Sequence, residues 1–149
     1  MKFIGFEREQ EAIEWAKTRI GITQSVGLCR AMSAVDSNGE FALVVVISNF
    51  VPGNMDMHTA AKPGADWASP KAIVRMFNEL FWYAFEYHKA MRVTGLVRAS
   101  NTAARRFDEH LGFKLEGIMR KAIDGEDLCI YGFLAEEFKQ HRWFRSRNG

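Results

Sequence analysis

At 149 residues the chain has the length of one domain and enough mass to bury a core. Hydrophobic residues make up 48% and charged residues 26%, which excludes an intrinsically disordered chain. A formal net charge of +2 is too small to point to nucleic acid as the partner.

No charged-then-apolar leader opens the sequence, and no apolar run approaches ~18 residues, so the expected protein is soluble, without membrane contact, and cytoplasmic. Cys29 and Cys129 lie in separate apolar runs without metal-ligand spacing. They read as reduced thiols, with a disulfide as the alternative. No repeat, low-complexity stretch or linker divides the chain, so residues 1–149 read as one domain.

In chain order, Glu7 to Ile20 predicts a helix: Ala12, Ile13, Ala16 and Ile20 recur at helical spacing, and Gly21 is a suitable left-handed stop. Ser25 to Val35 and Phe41 to Phe50 are strand-like, and the turn residues Asp36 to Gly39 between them predict a hairpin. Leu43 to Ile47 is apolar on both faces and therefore a central strand. A short strand, Met55 to Ala61, follows a Pro-Gly turn. After the loop Lys62 to Ser69 comes a long helix reaching about His88, with Ser69 as cap and Pro70 in its first turn. Its apolar residues, among them Ile73, Met76, Phe77, Leu80, Phe81 and Phe85, predict packing against a sheet.

Val93 to Ala99 is the next strand. Ser100 or Asn101 then caps a helix with Ala104, Phe107 and Leu111 on its inner face, and Gly112 ends it in the left-handed region. Leu115 to Ile123 and Leu128 to Leu134 form a last hairpin around Asp124-Gly125. The expected fold is α/β, a mixed sheet with a parallel crossover through the long helix.

One segment carries a resemblance. Asn101, then Ala104, Arg106 and Phe107, then Leu111-Gly112-Phe113, Glu116-Gly117 and Arg120 follow in the order found in the GNAT family of acyl-CoA-dependent acyltransferases. Arg120 and the Asp124-Gly125 turn resemble the branch that includes ribosomal-protein acetyltransferases. A Trp before the long helix, Trp67 here, is similar to short members from bacteriophages and their hosts. In that family helices lie on both sheet faces, and a splayed parallel strand pair holds the pantetheine arm. The resemblance therefore implies acetyl-CoA as co-substrate, an amine of a small molecule or protein as acceptor, and a chain acting alone or as a homodimer. If phage-encoded, it would work in the host cytoplasm.

A helix N-terminus offers unpaired amides and a partial positive charge, which suits the CoA pyrophosphate. The residues expected around the cofactor are Thr59, Ala60, Lys62, Gly64, Trp67, Ala68, Ser69, Asn101 and Arg106. Asp66 in this loop would repel phosphate if its carboxylate pointed inward, and the loop fits the family pattern only loosely.

For the chemistry, a backbone amide near Thr59 or Ala60 would receive the oxyanion. Asp56 and His58 alternate onto one face of their strand, and either could take a proton, His58 having a reference pKa of about 6.5. Packing is the alternative for His58. Where many members carry a tyrosine that protonates the thiolate, this chain has Asp108, which cannot donate when ionised. Ser100, Tyr131 or water are the substitutes weighed against capping and packing. No metal-ligand cluster appears; His88, His110 and His141 read as scattered, solvated residues. The tail from His141 to Gly149 mixes arginines with Trp143 and Phe144, a nucleic-acid-binding pattern whose simpler reading is one packed aromatic and solvated arginines. Two functions follow: an active N-acetyltransferase, or a GNAT-fold binding or phage-particle module without chemistry.

Overall fold

A computed structural model of the chain describes residues 1–20, 28–64 and 70–143. Among the described residues seven strands, β1 (Lys2–Gly5), β2 (Cys29–Val35), β3 (Phe41–Val51), β4 (Asn54–Ala61), β5 (Arg92–Arg98), β6 (Lys114–Ile123) and β7 (Glu126–Leu134), form one sheet in the order β1-β2-β3-β4-β5-β7-β6. The helices are α1 (Glu9–Ile20), α2 (Pro70–Phe81), α3 (Thr102–Leu111) and α4 (Ala135–Gln140). Every strand pair is antiparallel except β4 and β5, which are parallel neighbours joined through α2.

The central strand explains the layering. Along β3, Leu43, Val45 and Ile47 join the core that contains Met76, Phe77 and Leu80 of α2. The alternate residues Val44 and Val46 join Ala12, Ile13 and Ala16 of α1 on the other face. Successive side chains of a strand point to opposite faces, so a strand apolar at every position needs cover on both. The expected mixed α/β sheet with helices on both faces is the one observed. α1 covers β2, β3 and β4, and β5, β7 and β6 have no described helix on that face.

Phe81 is the centre of the larger core. Its ring centroid lies 4.9 Å from Phe133 of β7, 5.6 Å from Phe138 of α4 and 6.0 Å from Phe113. Such tilted contacts suit aromatic quadrupoles, and together they tie α2, β7 and α4 to one another.

Several boundaries differ from the sequence expectation. The helix expected to reach His88 is α-helical to Phe81 and then widens into a π-helical turn, Trp82–Tyr87, with the His88 N–H donating to the Tyr83 carbonyl at 3.0 Å. β1 and α4 were not expected; both are short, without enough residues to display a periodicity. α4 begins where the Leu134 N–H donates to Glu137 Oε1 at 3.0 Å. Trp143 is buried and His141 lies against it, 4.8 Å between rings, so His141 is a packing residue and not a solvated one. Phe144, Arg145 and Arg147 fall outside the described residues, as do Gly21 and Ser25 to Gly27. Both cysteines are free thiols, Cys129 buried and Cys29 partly so. Among the described residues no helix is long and apolar enough to cross a membrane.

α3 starts and stops as its sequence dictates. The Ala104 N–H donates to Asn101 Oδ1 at 3.1 Å, and Gly112 adopts φ 110°. A Cβ on Gly112 would lie 3.1 Å from the Phe133 ring, in the middle of the core. Gly112→Ala should therefore destabilise the fold by about 2–4 kcal/mol, combining a left-handed backbone penalty with overpacking. Urea unfolding of the two proteins measures it; a loss under about 0.5 kcal/mol would show that the ring yields freely.

Candidate functional site

The site is built where β4 and β5 part. Their ladder has four pairs, Asn54↔Arg92, Met55↔Val93, Asp56↔Thr94 and Met57↔Gly95. Both strands run on beyond it, β4 to Ala61 and β5 to Arg98, held only by β3 and β7 on their outer sides. A gap opens above the Met57↔Gly95 rung.

Alternation decides which backbone groups face it. The Lys62 N–H donates to the Ala42 carbonyl at 2.8 Å, so the amides of Lys62, Ala60 and His58 face β3. Those of Thr59 and Ala61 then face the gap. Of the two amides expected to hold an oxyanion, Thr59 is the one turned inward, and Ala60 is turned away. The Thr59 hydroxyl is buried and has no hydrogen-bond partner among the described residues.

Asp56 and His58 share the face that α1 partly covers, as the alternation requires. They are not a hydrogen-bonded pair among the described residues. Asp56 accepts from Asn54 Nδ2 at 2.9 Å and from Asn49 Nδ2 at 3.1 Å. Burial pushes the His58 imidazole below its ordinary pKa, and the Asp56 carboxylate opposes this in part. At neutral pH the imidazole is neutral and has a lone pair to accept a proton.

On the far side of the gap, Asn101 and Arg106 are exposed on α3. The Asn101 side-chain oxygen caps the helix, and its NH₂ has no partner among the described residues. Arg106 likewise makes no ion pair among the described residues, whereas Arg105 donates to the Tyr131 hydroxyl at 3.1 Å. Gly64 is exposed at φ 73° just past β4. Trp67, Ala68 and Ser69 lie outside the described residues.

Two expected site residues are otherwise engaged. The Lys62 ammonium sits 2.7 Å from Glu40 and 3.1 Å from Asp36, so a phosphate would have to displace these partners. Ser100 is exposed, and its N–H donates to Glu126 Oε1 at 2.7 Å. Its hydroxyl also serves Glu126, and the two bonds hold that carboxyl below its usual range. The Tyr131 hydroxyl donates to Glu109 Oε1 at 2.9 Å. His88 is exposed, 4.6 Å from the Tyr83 ring, and His110 is exposed on α3. Among the described residues no cluster of His, Cys, Asp and Glu is placed to hold a metal.

Asp108 departs from its sequence reading. It is 4% exposed, and its carboxyl has no hydrogen bond or ion pair among the described residues. A Cβ on Gly95 would lie 3.1 Å from its Oδ2, which puts the carboxyl over the last rung of the β4–β5 ladder. Burial first, then the neighbouring Glu109 charge, push its pKa up to about 7. It is therefore not the permanently ionised aspartate that the sequence suggested. A signal for this existed: Asp108 stands four residues after Ala104 and three before Leu111, on the stripe that faces inward.

The sequence matches no protein-family model. No curated protein matches it either. Solved structures do. A chimera of the Vibrio cholerae spermidine N-acetyltransferase SpeG and hSSAT superposes with TM-score 0.65 at 15% identity, over 89% of this chain and 80% of that one. A spermidine N-acetyltransferase from Vibrio cholerae in complex with CoA and spermine gives 0.63 at 16% identity, over 87% and 76%. A GNAT-family acetyltransferase from Bacillus anthracis gives 0.59 at 18% identity, over 73% and 67%. At these identities the likeness is one of fold, and the chain has the GNAT fold.

The Asp108 environment has a measurable consequence. A carboxyl whose folded pKa lies above its unfolded value favours the fold while protonated and loses that advantage as pH rises. Between the model value of 3.8 and about 7 the unfolded chain ionises first. Over that window the wild type should lose up to about 4 kcal/mol relative to Asp108→Asn, which cannot ionise, and the difference should be flat above it. Denaturant midpoints of both proteins at pH 4, 6 and 8 test this; a constant difference would mean that Asp108 ionises normally.

Proposed function

We propose that this protein transfers an acetyl group from acetyl-CoA to the nitrogen of an amine. The observation that carries the proposal is the parting of β4 and β5 beyond the Met57↔Gly95 rung, with the Thr59 and Ala61 amides turned to the gap. Such amides can hydrogen-bond an extended pantetheine arm much as a missing strand would. The Thr59 hydroxyl, the Asn101 NH₂ and the Arg106 guanidinium, none with a partner among the described residues, suit a ligand with amide groups and phosphates.

The chemistry follows from the two sides of the gap. An amine attacks a thioester only as the free base, so a group must take its proton. His58 is the first residue of β4 beyond the rung, and burial keeps it neutral. The Thr59 amide is directed to stabilise the charge that develops on the carbonyl oxygen. Asp56, fixed by two asparagines, supplies a negative charge beside the imidazole and favours its protonated form. The acceptor reaches His58 from the sheet face that α1 leaves uncovered over β5 and β7. Aliphatic polyamines are the first acceptors to test, because a similar structure was solved with CoA and spermine.

A second reading, a GNAT-fold module that binds without turnover, has one observation in its favour: Lys62 faces the acidic β2–β3 turn instead of the loop ahead of α2.

CoA at about 100 times its dissociation constant should stabilise the fold by about 2.7 kcal/mol. Asn101→Asp keeps a comparable cap but loses the NH₂ donor and adds charge, so it should weaken CoA about tenfold with stability changed by no more than ~0.5 kcal/mol. Calorimetric titration decides both points, and absence of heat and of a melting shift at millimolar CoA would end the acyltransferase reading.

His58→Gln should lower turnover by ~10²–10⁴ while CoA affinity stays within about twofold. In wild type the rate should fall on the acid side as His58 protonates, below its ordinary value. Equal turnover in the variant, with spermidine as acceptor, would return His58 to a packing role.

A further inference from the structure

We infer that Thr94 is a positioning residue: through Asn54 it ties the Asp56 carboxylate beside His58 to an ion pair that reaches the edge strand β6. The inference rests on the acyl-transfer reading above and adds to it groups from β5, β6 and β7.

The chain of contacts is continuous. Glu116 Oε1 of β6 accepts from Arg92 Nη2 at 2.6 Å. Arg92 Nε donates to the Thr94 hydroxyl at 2.9 Å. That hydroxyl donates to Asn54 Oδ1 at 2.6 Å, and Asn54 Nδ2 donates to Asp56 Oδ1 at 2.9 Å. These side chains cross from β6 over β7 and β5 to β4, three inter-strand spacings or roughly 14 Å. Thr94 stands in the middle, opposite Asp56 on one side and Gly132 on the other. β7 contributes by leaving room. A Cβ on Gly132 would fall on the Glu116 carboxyl and lie 2.6 Å from Arg92 Nη2. A glycine inside a strand weakens it and marks such a close approach.

The direction of the chain is fixed at both ends. A guanidinium has no acceptor atom, and an ionised carboxylate has no donor. The Thr94 oxygen accepts from Arg92, so its one hydrogen goes to Asn54, and the Asn54 amide turns its NH₂ to Asp56. Reversing that amide would set oxygen against the carboxylate and leave the Thr94 hydrogen without an acceptor. The second Asp56 oxygen takes an exposed contact, Asn49 Nδ2 at 3.1 Å.

Packing does not call for this arrangement. The Thr94 position is partly buried, and valine would suit a strand there at least as well. The arrangement does suit His58. Among the described residues, β3 turns Val46 and Ser48 to this face, and α1 covers it with Ala12, Ile13 and Ala16. Glu9 of α1 is engaged by Arg30. β5 turns Arg92, Thr94, Leu96 and Arg98 to it, Arg92 held by Glu116 and Arg98 by Asp124 and Glu126. Asp56 is the charge that acts on the imidazole, against burial. When His58 takes the proton of the attacking amine, the charge it gains is met by a carboxylate held in place.

Thr94→Val and Thr94→Ser are the test, read by NMR titration of His58 and by turnover with acetyl-CoA and spermidine. Valine keeps the shape and removes the hydroxyl, so the Asn54 amide is free to turn and the carboxylate loses its place. The His58 titration should move about half a pH unit lower, and the acid limb of the rate profile with it, because less negative charge then opposes burial. kcat should fall about three- to tenfold while CoA affinity stays within about twofold. Serine keeps the hydroxyl and should return titration and profile to those of wild type. A threonine that only packs could be replaced by valine with no change in either. An unmoved His58 titration in folded Thr94→Val would overturn the inference and leave the acyltransferase reading in place; wild type that binds no CoA would overturn both. If Thr94→Val does not fold, Asn54→Ala breaks the same chain one link later and should shift His58 in the same direction. An unmoved titration there would equally overturn the inference.

Discussion

Two backbone amides without a strand to bond are the constraint around which this protein is organised. Beyond Met57 and Gly95 the parallel ladder ends, yet β4 continues because β3 holds its other edge. The Thr59 and Ala61 amides cannot stay buried and unpaired without cost, so the gap must be filled by water or by an extended ligand. The neighbouring features depend on that opening. α3 begins beside it with a capped N-terminus, and Gly95 leaves space at its base.

The gap stays open because the layers around it are rigid. Phe81 joins α2, β7 and α4 through ring contacts, and the doubly apolar β3 is clamped between α1 and α2. With both faces of β3 and the inner face of β7 committed to packing, β4 and β5 each have a fixed partner on one side. Their mutual pairing is what gives way. The polar side chains of the site then sort by strand parity: Asp56 and His58 to one face, Thr59 to the other. Burial adjusts two groups, His58 toward a free lone pair and Asp108 toward a held proton. Both shifts have the same origin, the cost of charge away from water.

Much of this was legible in the sequence because it is local. The periodicity of Ala12, Ile13 and Ala16, the Asp36 to Gly39 turn, the Asn101 cap and the Gly112 stop are set by contacts within a few residues. The order of elements and the mixed sheet followed from them, and so did the placing of Asp56 and His58 on one face, since a strand alternates whatever it packs against. β1 and α4 were missed because four and six residues carry too little pattern.

What tertiary structure alone decided concerns partners distant in the chain. Whether Lys62 meets a phosphate or Asp36 and Glu40 depends on the β2–β3 turn folding back beside it, 26 and 22 residues away. Ser100 is occupied because the β6–β7 hairpin brings Glu126 to it. Asp108 shows the limit most clearly: its helical stripe was readable, but its ionisation was not. That depends on the burial of the carboxyl against Gly95 of a distant strand, with the Glu109 charge beside it. A sequence states which groups can titrate; the dielectric and the charges around them exist only once the sheet has closed.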